Sequence, residues 1–183
     1  MKLRIISGQY KGRLINVPQS KHIRPMTDRV RETLFNILIN KIDFQNIKVL
    51  DIYSGTGALG FECLSRGASM VHFVERNFRI AKNLEENIKS LEAENNCKIF
   101  KMEILKFSKE FKNMDYDLIL ADPPFFKDDI YEVVGNLFAN RYLKQKGIVI
   151  IERSVITKEK DRSFFSVEPF KIVGDACLYE IHN

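Results

Sequence analysis

Residues 121–126 read Ala-Asp-Pro-Pro-Phe-Phe, directly behind the apolar run at 116–120. Neither proline can donate a backbone hydrogen bond, and Pro123 drives Asp122 towards an extended conformation. The segment is therefore neither helix nor central strand. It is a stiff turn that fixes the Asp122 carboxylate, the Pro123 carbonyl, Pro124 and the Phe125 ring relative to one another. Such a set suits an amino group attached to a planar ring. The exocyclic amine of a nucleobase is a poor nucleophile, because its lone pair is delocalised. Acceptors at Asp122 and Pro123 favour the pyramidal form and stabilise the positive charge that develops as the nitrogen attacks. Phe125 offers a face on which a base can stack, worth roughly 1–3 kcal/mol. The bland alternative is a structural turn with an exposed acid and a core phenylalanine, and the tetrapeptide alone does not decide between them.

A second motif, Val-Leu-Asp-Ile-Tyr-Ser-Gly-Thr-Gly-Ala-Leu-Gly at 49–60, carries the spacing G-x-G-x-x-G at Gly55, Gly57 and Gly60. It follows a strand-like run, and Glu75 ends the next one, where a ribose-binding acid belongs. That combination predicts an adenosine-containing ligand held by Tyr53, Ser54, Gly55, Thr56 and Gly57, with Glu75 and its neighbour Arg76 at the ribose. Asp51 narrows the choice. A carboxylate beside the site of a pyrophosphate would repel it by several kcal/mol at low effective dielectric. S-adenosylmethionine has no phosphate and carries a sulfonium and an ammonium group, so an aspartate suits it. Asp51 could also be a helix-capping or loop-ordering carboxylate. Glu103 and Ile104, after the third sheet strand, are candidates for the adenine amine and ring.

These residues need a scaffold that brings separate turns together. Two short strands near 3–6 and 13–17 flank a glycine-containing turn, and a helix follows Thr27, a fitting N-cap, with Val30, Leu34, Ile37 and Leu38 at helical spacing. From residue 46 strands and helices alternate. Strands are expected at 47–51, 70–75, 97–102, 115–121, 148–152, 163–170 and 177–181, with helices at 58–66, 78–91 and 130–140. This order implies a Rossmann-like α/β fold, a seven-stranded mixed sheet with helices on both faces and an antiparallel pair at one edge. Residues 1–40 form a basic N-terminal extension of hairpin and helix, and 41–183 the catalytic domain.

Composition excludes several classes. With 45% apolar and 29% charged residues the chain can fold around a core, and no apolar run approaches the ~18 residues of a membrane span. Cys63, Cys97 and Cys177 are far apart and lack metal-ligand spacing, so reduced thiols, a cytoplasmic setting and no metal are expected. Of the net charge of +5, residues 1–31 carry +7, with eight bases against Asp28 alone, and the remainder −2. A basic arm on a near-neutral body is the footprint of a phosphate-backbone binder. An incidental solvated cluster would look the same. Arg4, Lys11, Arg13, Arg24, Arg29 and Arg31 are the candidate RNA contacts.

The stretches RIISGQYKGR (4–13), RPMTDRVRETLFN (24–36), DIYSGTGALGFECLSRGA (51–68) and DPPF (122–125) together resemble the RsmD family of class I methyltransferases. The resemblance spans nearly the whole chain. It implies the methyltransferase fold, cofactor contacts from the glycine loop and Glu75, and DPPF holding the target amine. It also implies that the acceptor is a guanine exocyclic amine in small-subunit ribosomal RNA, within the subunit or an assembly intermediate, with a monomeric enzyme and no membrane. Glu103-Ile104 departs from the usual Asp or Asn followed by a small residue. DNA amino-methylation would use the same turn, but the chain has no room for a sizeable recognition domain. A nicotinamide-dependent oxidoreductase is disfavoured by Asp51.

Overall fold

A computed structural model describes residues 2–18, 26–124 and 128–182. β1 (Lys2–Arg4) and β2 (Leu14–Asn16) pair antiparallel, and α1 (Asp28–Leu38) follows, its first turn capped by the Thr27 hydroxyl accepting from Val30 N–H at 3.3 Å. The main body then runs β3 (Lys48–Ile52), α2 (Ala58–Ser65), β4 (Met70–Val74), α3 (Phe78–Ser90), β5 (Cys97–Phe100), α4 (Ile104–Glu110), β6 (Tyr116–Ala121), α5 (Asp129–Ala139), β7 (Leu143–Ser154), α6 (Lys158–Phe165), β8 (Lys171–Val173) and β9 (Ala176–His182). The seven-stranded sheet has the order β5-β4-β3-β6-β7-β9-β8, all parallel except β9, which runs against both β7 and β8.

Strand residues alternate between two apolar layers. Val49, Val71, Phe73, Leu118, Leu120, Ile148 and Ile150 face the hairpin, α1, α2 and α3. Leu50, Ile52, Val74, Ile119, Ala121, Val149 and Ile151 face α4, α5 and α6. Both faces are covered, which is why these strands read as near-continuous apolar runs.

The hairpin docks through its own backbone groups, two of them on a carboxylate of the main body. The buried Glu62 carboxylate on α2 accepts from Ile6 N–H at 2.9 Å and Ser7 N–H at 3.1 Å, and Asn87 on α3 exchanges hydrogen bonds with Asn16. Gly8 has φ +83°, and a Cβ there would lie 1.8 Å from the Ser65 carbonyl oxygen. No larger residue permits this approach.

Two expectations are corrected. Residues 163–170 are not a strand: 158–165 form α6, and the edge strand is the shorter β8. The Phe164-Phe165 pair suggested β structure, but Phe165 buries against Tyr131 and Tyr179 from a helix. The seven-residue α4 was not anticipated, being too short to display a helical period. Among the described residues no helix is long and apolar enough to cross a membrane, and all three cysteines are free.

Candidate active site

From β3 the chain moves first to β4 and β5 on one side and later to β6 and β7 on the other. The crevice beyond the carboxyl ends of β3 and β6 is thus the topological switch point, where open α/β sheets bind ligands. Val74, Ile52, Ala121 and Ile151 lie on one rung of β4, β3, β6 and β7. The residues that follow them, Glu75, Tyr53, Asp122 and Glu152, therefore line up along the carboxyl edge. Two separated motifs, the glycine loop and the D-P-P turn, become immediate neighbours.

The glycine loop is fixed from beneath. Ser54 is buried, donating from Oγ to the Asp51 carbonyl at 2.6 Å and accepting from Val74 N–H at 2.9 Å. Its hydroxyl thus staples β3 to β4. Thr56 is buried too. Each glycine has a separate reason. Gly57, at φ +78°, has no room for a Cβ against Leu84 and Phe61, and Gly60 would bring a Cβ to 2.3 Å from Phe73. Gly55 is also left-handed, at φ +52°, but its Cβ would meet only the Tyr53 carbonyl, at 3.8 Å. Gly55 is therefore uncrowded by its neighbours, which leaves its backbone open to close approach.

Three carboxylates converge here. Asp51 is buried and its Oδ2 accepts from Gly60 N–H at 2.9 Å. Burial raises its pKa well above the ordinary range against that hydrogen bond, and the nearby Asp122 and Glu75 add to the rise. Glu75 accepts from Gly55 N–H at 3.1 Å and Asn77 N–H at 2.7 Å, yet burial still raises its pKa. Desolvation pushes the Asp122 carboxyl up to about 7. A cation held at this edge would favour the ionised form of these acids and an anion the protonated form. Pro123 is buried and Pro124 exposed, while Phe125 lies outside the described residues.

The family-model match named "Conserved hypothetical protein 95" covers residues 3–178. The chain is 35% identical to "Ribosomal RNA small subunit methyltransferase D" of Escherichia coli, over 84% of this chain and 76% of that one. It is 33% identical to the Haemophilus influenzae protein of the same name, over 95% and 88%. The solved structure titled "Putative methyltransferase yhhF from Escherichia coli" superposes with a TM-score of 0.82 at 29% identity, covering 100% of this chain and 99% of that one. The chain belongs to the RsmD family. It is a methyltransferase with the α/β fold of that class, as the sequence resemblance implied.

The remaining candidate residues of this RsmD-family chain divide sharply. Arg76 and Glu103 are both exposed and pair with each other, Nη1 to Oε1 at 2.9 Å. Glu103 thus shares its carboxylate with a guanidinium before any adenine arrives. Ile104 is buried in the core below it. Of the basic candidates, Arg4, Lys11 and Arg29 are exposed, and Arg24 lies outside the described residues. Arg13 is exposed but donates to the Ser90 carbonyl at the end of α3. Arg31 departs from the expected role. It is 1% exposed, and its Nη2 donates to the Arg4 carbonyl at 2.8 Å and pairs with Asp28 at 2.9 Å. The guanidinium ties α1 to the hairpin and is not presented to a phosphate. Lys11 and Arg13 sit by the hairpin turn, which docks at the C-terminal ends of α2 and α3. Those helices run back from the carboxyl edge of the sheet, so their C-terminal ends lie away from the crevice.

Two groups at the edge escaped sequence reasoning. Glu152 stands level with Asp122, and Asp129 Oδ1 accepts from the Tyr53 hydroxyl at 3.0 Å. Neither belongs to a spaced motif. Only the strand register reveals the first, and only the crossing of the crevice reveals the second.

Proposed function

We propose that this protein transfers a methyl group from S-adenosylmethionine to the exocyclic amine of a guanine in small-subunit ribosomal RNA. One observation carries the reading: the Asp122-Pro123-Pro124 turn stands beside the glycine loop on an edge of acids with raised pKa. S-adenosylmethionine supplies an electrophilic methyl on a cationic sulfur. The Gly55 backbone and Glu75 hold the adenosine portion, and Asp51 lies on the side of the cationic portion. Asp122 and the Pro123 carbonyl accept hydrogen bonds from the target amine, localising its lone pair and stabilising the charge that builds on nitrogen. A cation in the crevice favours ionised Asp122, so acceptor and methyl donor are populated together. Exposed Arg4, Lys11 and Arg29 hold phosphates, fixing register while the edge selects the amine. The target base must be unpaired or extruded to reach it. The names of the Escherichia coli and Haemophilus influenzae relatives support a ribosomal RNA substrate.

The decisive experiment supplies labelled S-adenosylmethionine with small subunits, naked ribosomal RNA and DNA, and digests the product to nucleosides. Label in a methylated-amine guanosine from ribosomal RNA is the expected result. Label in DNA adenine or cytosine would replace this reading with DNA amino-methylation.

A further inference from the structure

Tyr53 is the first residue past the rung that joins β3 to β6, and its backbone is left-handed at φ +57°. A bulky aromatic seldom adopts that conformation, and such strain persists where the surroundings over-determine it. Here the surroundings are a hydrogen bond that crosses the switch point. The hydroxyl, on the glycine-loop side, donates to Asp129, the first residue of α5, on the side of the D-P-P turn. Burial, with Asp129 beside it, raises the phenol's pKa, so it stays a neutral donor. On the other flank Lys160 of α6 pairs with Asp128 at 2.7 Å, so α5 is anchored from both directions where it begins.

The geometry points to the Tyr53–Asp129 hydrogen bond as a positioning element for methyl transfer, locking the cofactor loop to the chain that returns from Asp122. This rests on the proposed transfer at Asp122 and gives Tyr53 a different task from contacting the cofactor. One end of the turn is fixed by β6 in mid-sheet, and this bond fixes the element into which it leads. An error of about 1 Å between donor and acceptor can lower the rate about a hundredfold, so the hydroxyl governs the transfer step more than binding.

The test is a double-mutant cycle of Tyr53→Phe and Asp129→Ala, with Asp129→Asn as the conservative variant that keeps an acceptor oxygen. Each of the first two should lower kcat tenfold to a hundredfold, with S-adenosylmethionine Kd changed less than threefold. The double variant should be no worse than Asp129→Ala alone, because Tyr53→Phe removes a bond that Asp129→Ala has already removed. Asp129→Asn should fall nearer to wild type than Asp129→Ala. Without any acceptor, Tyr53→Phe should speed amide exchange in the first turn of α5. Should the nucleoside digest name another acceptor, the cycle is run on that acceptor, and the two hypotheses stand or fall separately. A raised Kd with unchanged kcat, multiplicative losses in the double variant, or unaltered exchange in α5 would each overturn the positioning role.

Discussion

Asp122→Asn should make the ligand-free protein more stable while disabling it. The wild-type carboxyl titrates at about 7 against an ordinary 3.8, because folding strips it of water. Between about pH 4 and 7 the native state therefore holds a proton that the unfolded chain has released, and stability falls as pH rises through that window. Above it the penalty is fully present. At about 1.36 kcal/mol per pH unit the ceiling is about 4 kcal/mol. Part of the residue still meets water, so about 2 kcal/mol is the working figure. Asparagine removes the charge and keeps the shape. The variant should gain about 2 kcal/mol at pH 8, or roughly 4–8 °C in Tm for a chain of this size, and nothing near pH 4. Urea unfolding at pH 4, 6 and 8 measures the gap directly. The methyl-transfer rate should fall about a hundredfold, since one neutral carbonyl replaces a charged acceptor. A gap between the two proteins that is constant with pH, or a variant less stable at pH 8, would refute the desolvated-acid account of this edge.

Other consequences can be measured independently. The affinity for S-adenosylmethionine should rise from pH 6 to 8 more steeply than that for uncharged-sulfur S-adenosylhomocysteine, because Asp122 ionises across that range; calorimetry showing parallel pH profiles would count against electrostatic matching. Gly60→Ala should lose about 1–3 kcal/mol by overpacking Phe73 and Val71, seen as a lower urea midpoint. Arg4→Glu should weaken RNA binding and flatten its dependence on salt. Arg31→Met should leave the salt slope unchanged and lower stability by about 1–3 kcal/mol, since the Arg4 carbonyl loses its buried donor.

Much of this site was legible in the residue order, because its signals are local. A glycine at φ +78° and two prolines in succession declare their conformations through their own backbones, and a threonine before a helix caps it with its own hydroxyl. Strand-like segments alternating with helical ones similarly announced a parallel sheet, and two final strands the antiparallel pair at its edge. The pattern failed where the local signal was weak or misleading. The Phe164-Phe165 pair read as strand, although a mainly polar helix presents Phe165 to the core.

The amino-acid sequence by itself determined the class of reaction, the methyl transfer of the RsmD family, through a glycine loop and a D-P-P turn that are both legible in residue order. Tertiary structure alone decided which charges are available to perform it. Arg31 and Arg4 have the same formal charge, yet one is sealed against a carbonyl 27 residues away and the other faces solvent. Glu103 pairs with Arg76, and Tyr53 reaches across the crevice to Asp129. The physical reason is common to all three. Conformational preferences act through neighbouring bonds, whereas the partner of a charge or hydroxyl is set by which chain segment folding brings within about 3 Å.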